Sequence, residues 1–108
     1  MKMLDEKSVN YTKNLILNGY ELKAVNAQNS LVYINACNDI KIVFNNNLTS
    51  EKARELLGKL SVQQGNVTES VLKSEVVKLV DLGCISEKTA VNEFGKYICK
   101  NKEVERQA

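Results

Sequence analysis

The side chains of this chain that could carry covalent or metal chemistry are the cysteines Cys37, Cys84 and Cys99. They are far apart, no Cys-x-x-Cys pair occurs, and the chain contains no His. A nucleophilic cysteine needs surroundings that lower its pKa, and zinc sites draw mainly on Cys and His at short spacings. We therefore interpret the cysteines as small apolar side chains or idle thiols, and we expect no metal and no cofactor.

Acid–base and phosphate chemistry have no better basis in the sequence. Carboxylates such as Glu51 and Glu55 have the i, i+4 spacing of neighbours on a solvated helix face. The five glycines are scattered, so no glycine-rich phosphate loop is present. These absences predict a protein that is not an enzyme.

A first candidate for an interaction surface is one face of a predicted β-sheet. It carries Tyr33 together with Lys23, Asn35 and Lys41. An aromatic ring with basic neighbours on a sheet can stack on single-stranded bases. Two other interpretations stay open, a solvated face with a protein-binding patch and a face covered by the C-terminal helices, and covering is favoured because the chain has enough helix for it.

A second candidate is the segment from Glu75 to Ile98. Its centre, Asp81–Ser86, resembles the turn of a helix-turn-helix motif and contains Gly83. That resemblance implies nucleic-acid contacts by three polar side chains of the second helix, which are Lys88, Asn92 and Lys96. Leu79 stands where such motifs usually carry a small residue, and an ordinary helix hairpin ended by a glycine is the favoured alternative.

The elements that must position these residues are predicted from spacing and caps. A first helix is expected over about Asp5–Asn18, three strands within Tyr20–Asn46, and a second helix that starts at an N-cap on Ser50. A third helix, after a capping-box pattern at Asn66, stops at Gly83. A fourth begins at an N-cap on Ser86, with Val91, Phe94 and Ile98 on its apolar side.

Side-chain parity predicts the register of the strands. A two-residue turn between the second and third strands would place Asn35 in the apolar layer, whereas a three-residue turn, Cys37–Asp39, does not. The three-residue turn pairs Ala36 with Ile40, Ile34 with Ile42 and Val32 with Phe44, and the same parity pairs Ala24 with Ile34 and Leu22 with Ala36. The predicted core face is Leu22, Ala24, Val32, Ile34, Ala36, Ile40, Ile42 and Phe44. The opposite face is Glu21, Lys23, Val25, Tyr33, Asn35, Lys41 and Val43.

The order of helix, three strands and helix over residues 5–60 is similar to that of a double-stranded-RNA-binding domain. Ser50–Arg54 resembles the start of that family's second helix, which implies RNA binding as a possibility. Glu51, however, stands where that family carries a basic residue. Some small anti-CRISPR inhibitors also follow an order of helix, three strands and further helices, which is a resemblance of topology alone.

Length and composition indicate one domain, and the predicted order of a helix, a three-stranded antiparallel meander and three helices places it in the α+β class. The chain has 108 residues, a hydrophobic fraction of 44% and a net charge of +2 with both signs interleaved, unlike a strongly basic nucleic-acid binder. We expect an αβββα core at 5–62, a helical hairpin at 66–100 and a flexible tail at 101–108. No apolar run approaches the length of a membrane span, and no secretory leader is recognised, so we expect a cytoplasmic protein.

The function predicted from these features is a small protein-binding or regulatory module that binds or inhibits a larger host protein. Asn occupies 13 positions and Lys outnumbers Arg, a composition common among phage and mobile-element accessory proteins. One alternative is a nucleic-acid binder that uses the C-terminal hairpin or the Lys and Tyr sheet face. A second alternative is a homo-oligomeric structural protein joined through an edge strand or the last helix.

Overall fold

The chain forms one antiparallel sheet with helices on both faces. The computed structural model describes residues 3–26, 29–44, 47–58 and 67–95. Its elements in chain order are helix α1 (Glu6–Leu17), strands β1 (Glu21–Val25), β2 (Leu31–Ile34) and β3 (Ile40–Val43), helices α2 (Ser50–Leu57) and α3 (Glu69–Asp81), and helix α4 over residues 87–95. The predicted α+β order is confirmed. The predicted tail at 101–108 lies outside the described residues.

Two turns with the same hydrogen bonds join the strands in the order β1-β2-β3. They run from Asn26 to Ser30 and from Asn35 to Asp39. The backbone N–H groups of Asn26 and Asn35 donate to the carbonyls of Ser30 (3.0 Å) and Asp39 (3.2 Å), respectively. In return, the Oδ1 atoms of Asn26 and Asn35 accept from the backbone N–H groups of Ser30 (2.8 Å) and Asp39 (2.9 Å). Asn29 and Asn38 have φ of 70° and 64°, a left-handed conformation that Asn tolerates better than most side chains.

The turn between β2 and β3 has the predicted length but starts one residue early. Its loop is Ala36–Asn38, so Ile34 pairs with Ile40 and Val32 with Ile42. The left-handed position falls on Asn38, which is the last loop residue in this type of three-residue hairpin. The predicted pairs Ala36/Ile40, Ile34/Ile42 and Val32/Phe44 are therefore wrong. The pairing moves by two residues, so the division of β2 and β3 into two faces is unchanged.

Strand β1 departs further from the predicted register because it contains a bulge. Leu22 pairs with Tyr33 and Ala24 with Val32, and the register shifts between them at Lys23. The extra residue turns Leu22 and Ala24 to opposite faces of the sheet. The predicted pairs Ala24/Ile34 and Leu22/Ala36, and the shared face of Leu22 and Ala24, are wrong for this reason.

Both faces of the sheet are buried, and the larger core lies on the face that holds Tyr33. This main core receives side chains from α1, α3, α4 and the loop before α4; its buried members are Leu4, Val9, Leu15, Ile16, Leu22, Leu31, Tyr33, Val43, Leu72, Val76, Leu79, Cys84, Ile85 and Phe94. The second core lies under α2 and consists of Val32, Ile34, Leu48, Ala53 and Leu57. The face predicted as the core is thus the smaller one. The covering of the Tyr33 face by C-terminal helices is confirmed.

Two of the predicted helix caps are confirmed and two are displaced. Asp5 accepts the Ser8 amide at 2.8 Å at the start of α1, and Ser86 accepts the Thr89 amide at 3.1 Å at the start of α4. Helix α2 is capped by Thr49 and α3 by Thr68, each through a hydroxyl that accepts an amide at 3.2 Å. Threonine at the N-cap makes the same bond as serine or asparagine. The expected caps Ser50 and Asn66 are therefore not used; Asn66 itself lies outside the described residues.

Val91, expected on the apolar side of α4, is instead exposed, as is Leu56 of α2. Val91 is 67% exposed and Leu56 45%. In α4 the buried stripe is formed by Phe94 with the partly buried Ala90, which lie one turn apart, so Val91 falls beside it. In α2 only Ala53 and Leu57 face the sheet, which leaves Leu56 on the flank. Ile98, the third residue of the predicted α4 stripe, lies outside the described residues.

Candidate functional site

The predicted sheet-face site is not assembled, because its central ring is in the core. Tyr33 is 0% exposed, and its hydroxyl has no hydrogen-bond partner among the described residues. Burial raises the pKa of this phenol, and the nearby Glu75 carboxylate and Cys84 thiol raise it further. Tyr33 cannot stack on a base from this position, so the stacking hypothesis is wrong at its central residue.

The polar neighbours predicted with Tyr33 serve other purposes. Asn35 Oδ1 accepts from the amides of Cys37 (3.0 Å) and Asp39 (2.9 Å), so this side chain stabilises the turn. Lys23 lies at the bulge of β1, 3.9 Å from the Glu21 carboxylate. Lys41, on β3, is 44% exposed, and its ammonium lies 3.7 Å from Asp39 Oδ2. Of the four predicted residues, Lys41 is exposed, Lys23 and Asn35 are partly buried, and Tyr33 is buried.

The second predicted site, on the C-terminal hairpin, presents mixed charge. Lys88 and Asn92 are both exposed on α4, and Lys96 lies outside the described residues. Residues 67–95 contain three lysines (Lys73, Lys78 and Lys88) against five acidic residues (Glu69, Glu75, Asp81, Glu87 and Glu93). Nucleic-acid binding draws on a surplus of positive charge facing the phosphates. This part of the hairpin has none, which favours the alternative of an ordinary helix pair.

Two grooves lie between elements of the described chain. One, of about 380 Å³, runs beside β1 and the end of α3, and is lined by Leu22, Lys23, Ala24, Val25, Lys78, Asp81 and Leu82. The other, of about 260 Å³, lies between α1 and α4, and is lined by Leu4, Glu6, Val9, Asn10, Thr89 and Glu93. Neither brings together three potential metal ligands, and no such group occurs in the described ranges. The described residues of the two grooves therefore offer no metal site.

The end of the β1 edge that holds Leu22 is closed by helix α3. The Glu75 side chain is 2% exposed, and its Oε1 accepts the backbone N–H of Leu22 at 2.7 Å. Its Oε2 accepts from the Lys78 ammonium at 2.6 Å. That N–H belongs to an edge strand, and it would lack a partner if the carboxylate were removed. The helix and the bulge at Lys23 both prevent another strand from pairing with this end of β1.

The β3 edge differs because nothing in the described chain pairs with it. Asn35 donates its N–H to the Asp39 carbonyl, which makes these two a hydrogen-bonded pair. Antiparallel ladders alternate, so Lys41 directs its backbone groups towards β2, whereas Ile40 and Ile42 direct theirs away from the sheet. No described residue accepts from the Ile42 N–H or donates to its carbonyl. β3 has no bulge against β2, and it presents a regular edge.

Side chains beside this edge are apolar on one face and charged on the other. Ile40 and Ile42 are partly buried against the second core, whose helix α2 contacts β1. Lys41 and Asp39 lie on the opposite face, and Asp39 Oδ2 also accepts the Tyr20 hydroxyl at 2.5 Å. A strand edge of this kind can bind another strand through its backbone, with side chains selecting the partner. The candidate site is therefore the β3 edge, defined here as Asp39–Val43.

Sequence reasoning missed Glu75 and did not single out the β3 edge. Glu75 follows Leu72 and precedes Val76 and Leu79 at the i, i+3, i+4, i+7 spacing of one helix face, so it lies within the apolar stripe of α3, which was a usable signal. The lack of a described partner for the outer side of β3 had no such signal, because it depends on where α2 and α3 pack.

The chain matches no protein-family model, and comparison with curated proteins and with solved structures yields no significant match. No helix in the described ranges is long and apolar enough to cross a membrane. The site must therefore be interpreted from its own geometry.

Proposed function

We propose that this chain is a small non-enzymatic module that binds a larger protein, and that an extended segment of that protein adds to the sheet at the β3 edge. The observation that carries the proposal is the contrast between the two edges of one sheet. At β1 the outward Leu22 amide is bonded to a buried carboxylate, and at β3 the outward groups of Ile42 have no partner among the described residues. A regular, uncovered edge is the feature used in β-strand addition.

Bound in this way, the module would regulate or inhibit its partner by holding one of its segments. The Asn-rich and Lys-rich composition supports an origin in a phage or mobile element, and therefore a host protein in the cytoplasm as the target. A net charge of +2 does not favour an inhibitor that imitates nucleic acid, which would be strongly acidic. Steric occupation of an extended segment agrees better with this charge.

The test replaces Ile42 on the β3 edge with proline. Its two controls are a shorter side chain at Ile42 and a proline on the β1 edge. Ile42→Pro removes the outward N–H and blocks strand addition, without touching the inward hydrogen bonds of β3. Ile42→Ala shortens the same side chain but keeps the N–H. Val25→Pro places proline on β1, where the adjacent Asn26–Ser30 hydrogen bond puts the Val25 N–H on the outward side.

Each variant is first shown to fold by circular dichroism, then used to capture proteins from host lysate. A captured protein is identified by mass spectrometry, purified and titrated against every variant. We expect Ile42→Pro to bind at least about tenfold more weakly than Ile42→Ala, since backbone hydrogen bonds are lost. Val25→Pro should bind like the wild type. Equal binding by wild type and Ile42→Pro would overturn the proposed interface.

The two alternatives give distinct results in the same series. A dimer by light scattering that dissociates in Ile42→Pro would mean that the edge binds a second copy of this chain. Salt-sensitive retention on DNA or RNA in a filter-binding assay, with no protein captured, would favour the nucleic-acid alternative. Either result would replace the proposal of a protein partner.

A further inference from the structure

The side chains along the β3 edge select the sequence of residues in any strand that it binds. This inference rests on the proposed function. In an antiparallel addition, the residues opposite Ile40 and Ile42 form hydrogen-bonded pairs, because the backbone groups of these two isoleucines point outward. The residue opposite Lys41 forms the non-hydrogen-bonded pair, in which side chains are closest. Antiparallel addition continues the pattern of the existing sheet and is slightly more stable than parallel pairing.

Two positions of the incoming strand face the second core. Ile40 and Ile42 are partly buried against the cluster that contains Val32, Ile34 and Leu48. Apolar side chains opposite the two isoleucines would extend this cluster and remove more of their surface from water. A polar side chain there would lose its water without gaining a partner.

The position between them faces a cation. Lys41 is 44% exposed, and its ammonium lies 3.7 Å from Asp39 Oδ2, beyond hydrogen-bonding distance. Asp39 already accepts the Tyr20 hydroxyl, which keeps its carboxylate at the end of the edge. An acidic residue opposite Lys41 and a basic one opposite Asp39 would therefore complement both charges.

A second copy of this chain does not meet these requirements in either register that pairs Lys41 with itself or with Asp39. Self-pairing with full overlap, centred on Lys41, places Lys41 opposite the same lysine of the other copy at the closest pair. Self-pairing centred on Ile40 does match Lys41 with Asp39. However, it brings Ile42 opposite Asn38, whose φ of 64° belongs to the turn and not to a strand. The charge pattern thus favours a different chain as the occupant.

We propose that the β3 edge binds, in antiparallel orientation, an extended segment of another protein in which apolar, acidic, apolar and basic residues follow in that order from N- to C-terminus. The first apolar residue lies opposite Ile42, the acidic one opposite Lys41, the second apolar one opposite Ile40 and the basic one opposite Asp39. Recognition combines backbone hydrogen bonds with one central ion pair.

Two synthetic peptides of identical composition test this order. One contains Val-Glu-Val-Lys and the other Val-Lys-Val-Glu, both with Thr at each end and with blocked termini. Each is titrated into the ¹⁵N-labelled full chain and followed by NMR. We expect the first peptide to shift the Ile42 amide and to bind roughly fivefold more tightly, the effect of one exposed ion pair replacing a like-charge contact. Lys41→Glu should reverse the preference. Ile42→Pro, followed through the Lys41 and Val43 amides because proline has no N–H, should abolish binding of both peptides.

The outcomes separate this inference from the proposed function. Equal binding of the two peptides, or a preference unchanged in Lys41→Glu, would overturn the charge order while leaving the edge as the interface. If neither peptide shifts the Ile42 amide, the proposed order of residues is wrong. Titration of the captured partner against Ile42→Pro then shows whether the β3 edge is the interface. A preference that reverses in Lys41→Glu and weakens with added salt would support the inference.

Discussion

The two edges of the sheet are built in opposite ways from similar strands. β1 is bulged at Lys23, lies beside α3, and donates its Leu22 amide to the buried Glu75. β3 is regular, and Ile42 has no backbone partner on its outer side in the described chain. Natural sheets usually limit both edges by bulges, charges or covering elements, because an open edge invites pairing with other chains. Among the described residues, the β1 edge has three such features, whereas the β3 edge has one charged side chain, Lys41.

This difference shows that an outward backbone amide is bonded internally where its strand contributes a side chain to the main core. The Leu22 side chain belongs to the main core, so its amide lies next to apolar surface and needs an internal acceptor. Ile42 lies at the margin of the second core, and no described residue bonds to its outward amide. A strand that bonded to this amide would also gain apolar contact with both isoleucines.

The largest effect is expected from proline at adjacent positions of β3. Lys41→Pro removes an N–H that points towards β2, and should lower the free energy of unfolding by about 3 kcal/mol, since a ladder hydrogen bond is lost and the ring strains the strand. Ile42→Pro removes an outward N–H, and should cost about 1 kcal/mol, mainly through lost side-chain packing. Urea denaturation measures both. Equal losses in the two variants would contradict the assigned direction of the β3 amides.

A slightly smaller effect is expected where Glu75 closes β1. Glu75→Ala leaves the Leu22 N–H without an acceptor beside the main core, and should destabilise the fold by about 2–3 kcal/mol. Glu75→Gln keeps an acceptor oxygen and loses the ion pair with Lys78, which is 41% exposed, so it should cost less. The exposed Glu87→Ala serves as the control for removing a helical carboxylate. If Glu75→Ala were no worse than Glu87→Ala in urea, the bond to Leu22 would not be what closes this edge.

Much of this architecture could be predicted from the sequence, and the errors have physical causes. Parity divided β2 and β3 into the correct faces because moving a hairpin loop by one residue changes the pairing by two. No residue of Leu22–Ala24 is of a type that indicates a bulge, so the bulge at Lys23 was not predicted. The predicted face of Leu22 was wrong for this reason. The position of the main core on the Tyr33 face could not be predicted from β2, because this strand is apolar on both sides. Choosing between two apolar faces requires knowing where the helices pack.

The candidate site was the least predictable part of the molecule. Tyr33 and Lys41 are two residues of one predicted face, but the structure buries the first and exposes the second. Tyr33 is on the central strand, whereas Lys41 is on an edge strand beside the turn; Val43, farther along the same edge strand and on the same face, is buried. The hairpin order β1-β2-β3 was available from the sequence, so edge residues could have been given more weight than the aromatic ring.

The two turns that hold the edge strands provide a more subtle comparison. Asn26 and Asn35 make equivalent bonds to the last residue of their turns, but Ser30 is 0% exposed, whereas Asp39 is exposed. Asn26→Ala should therefore cost about 1–2 kcal/mol, because the Ser30 amide becomes unsatisfied in the interior. Asn35→Ala should cost about 0.5 kcal/mol, because water can satisfy the amides that it leaves. Thermal and urea unfolding of the two variants would measure this, and a larger loss in Asn35→Ala would reverse the interpretation.

The smallest expected effect is a pH dependence at the end of the β3 edge. The hydrogen bond from Tyr20 to Asp39, with burial and the carboxylate's charge, raises the pKa of Tyr20 to about 12, and the same bond lowers the pKa of Asp39. A raised folded-state pKa adds stability that is complete below the ordinary value of 10.0 and is lost as pH rises towards about 12. A lowered pKa adds stability that is complete above the ordinary 3.8 and is lost as pH falls further.

Comparison of the wild type with Tyr20→Phe isolates this bond, since all other titrating groups are common to both. The difference in unfolding free energy should be constant from pH 6 to pH 9, and should shrink both on acidification below the ordinary pKa of Asp39 and above pH 10. Asp39→Asn is the matched variant, and in its background Tyr20→Phe should lose this pH dependence. A difference that stayed constant to pH 12 would mean that Tyr20 does not hold Asp39 in solution. The carboxylate would then be free to turn towards Lys41. The acidic residue proposed opposite Lys41 and the basic residue proposed opposite Asp39 would both have to be reconsidered.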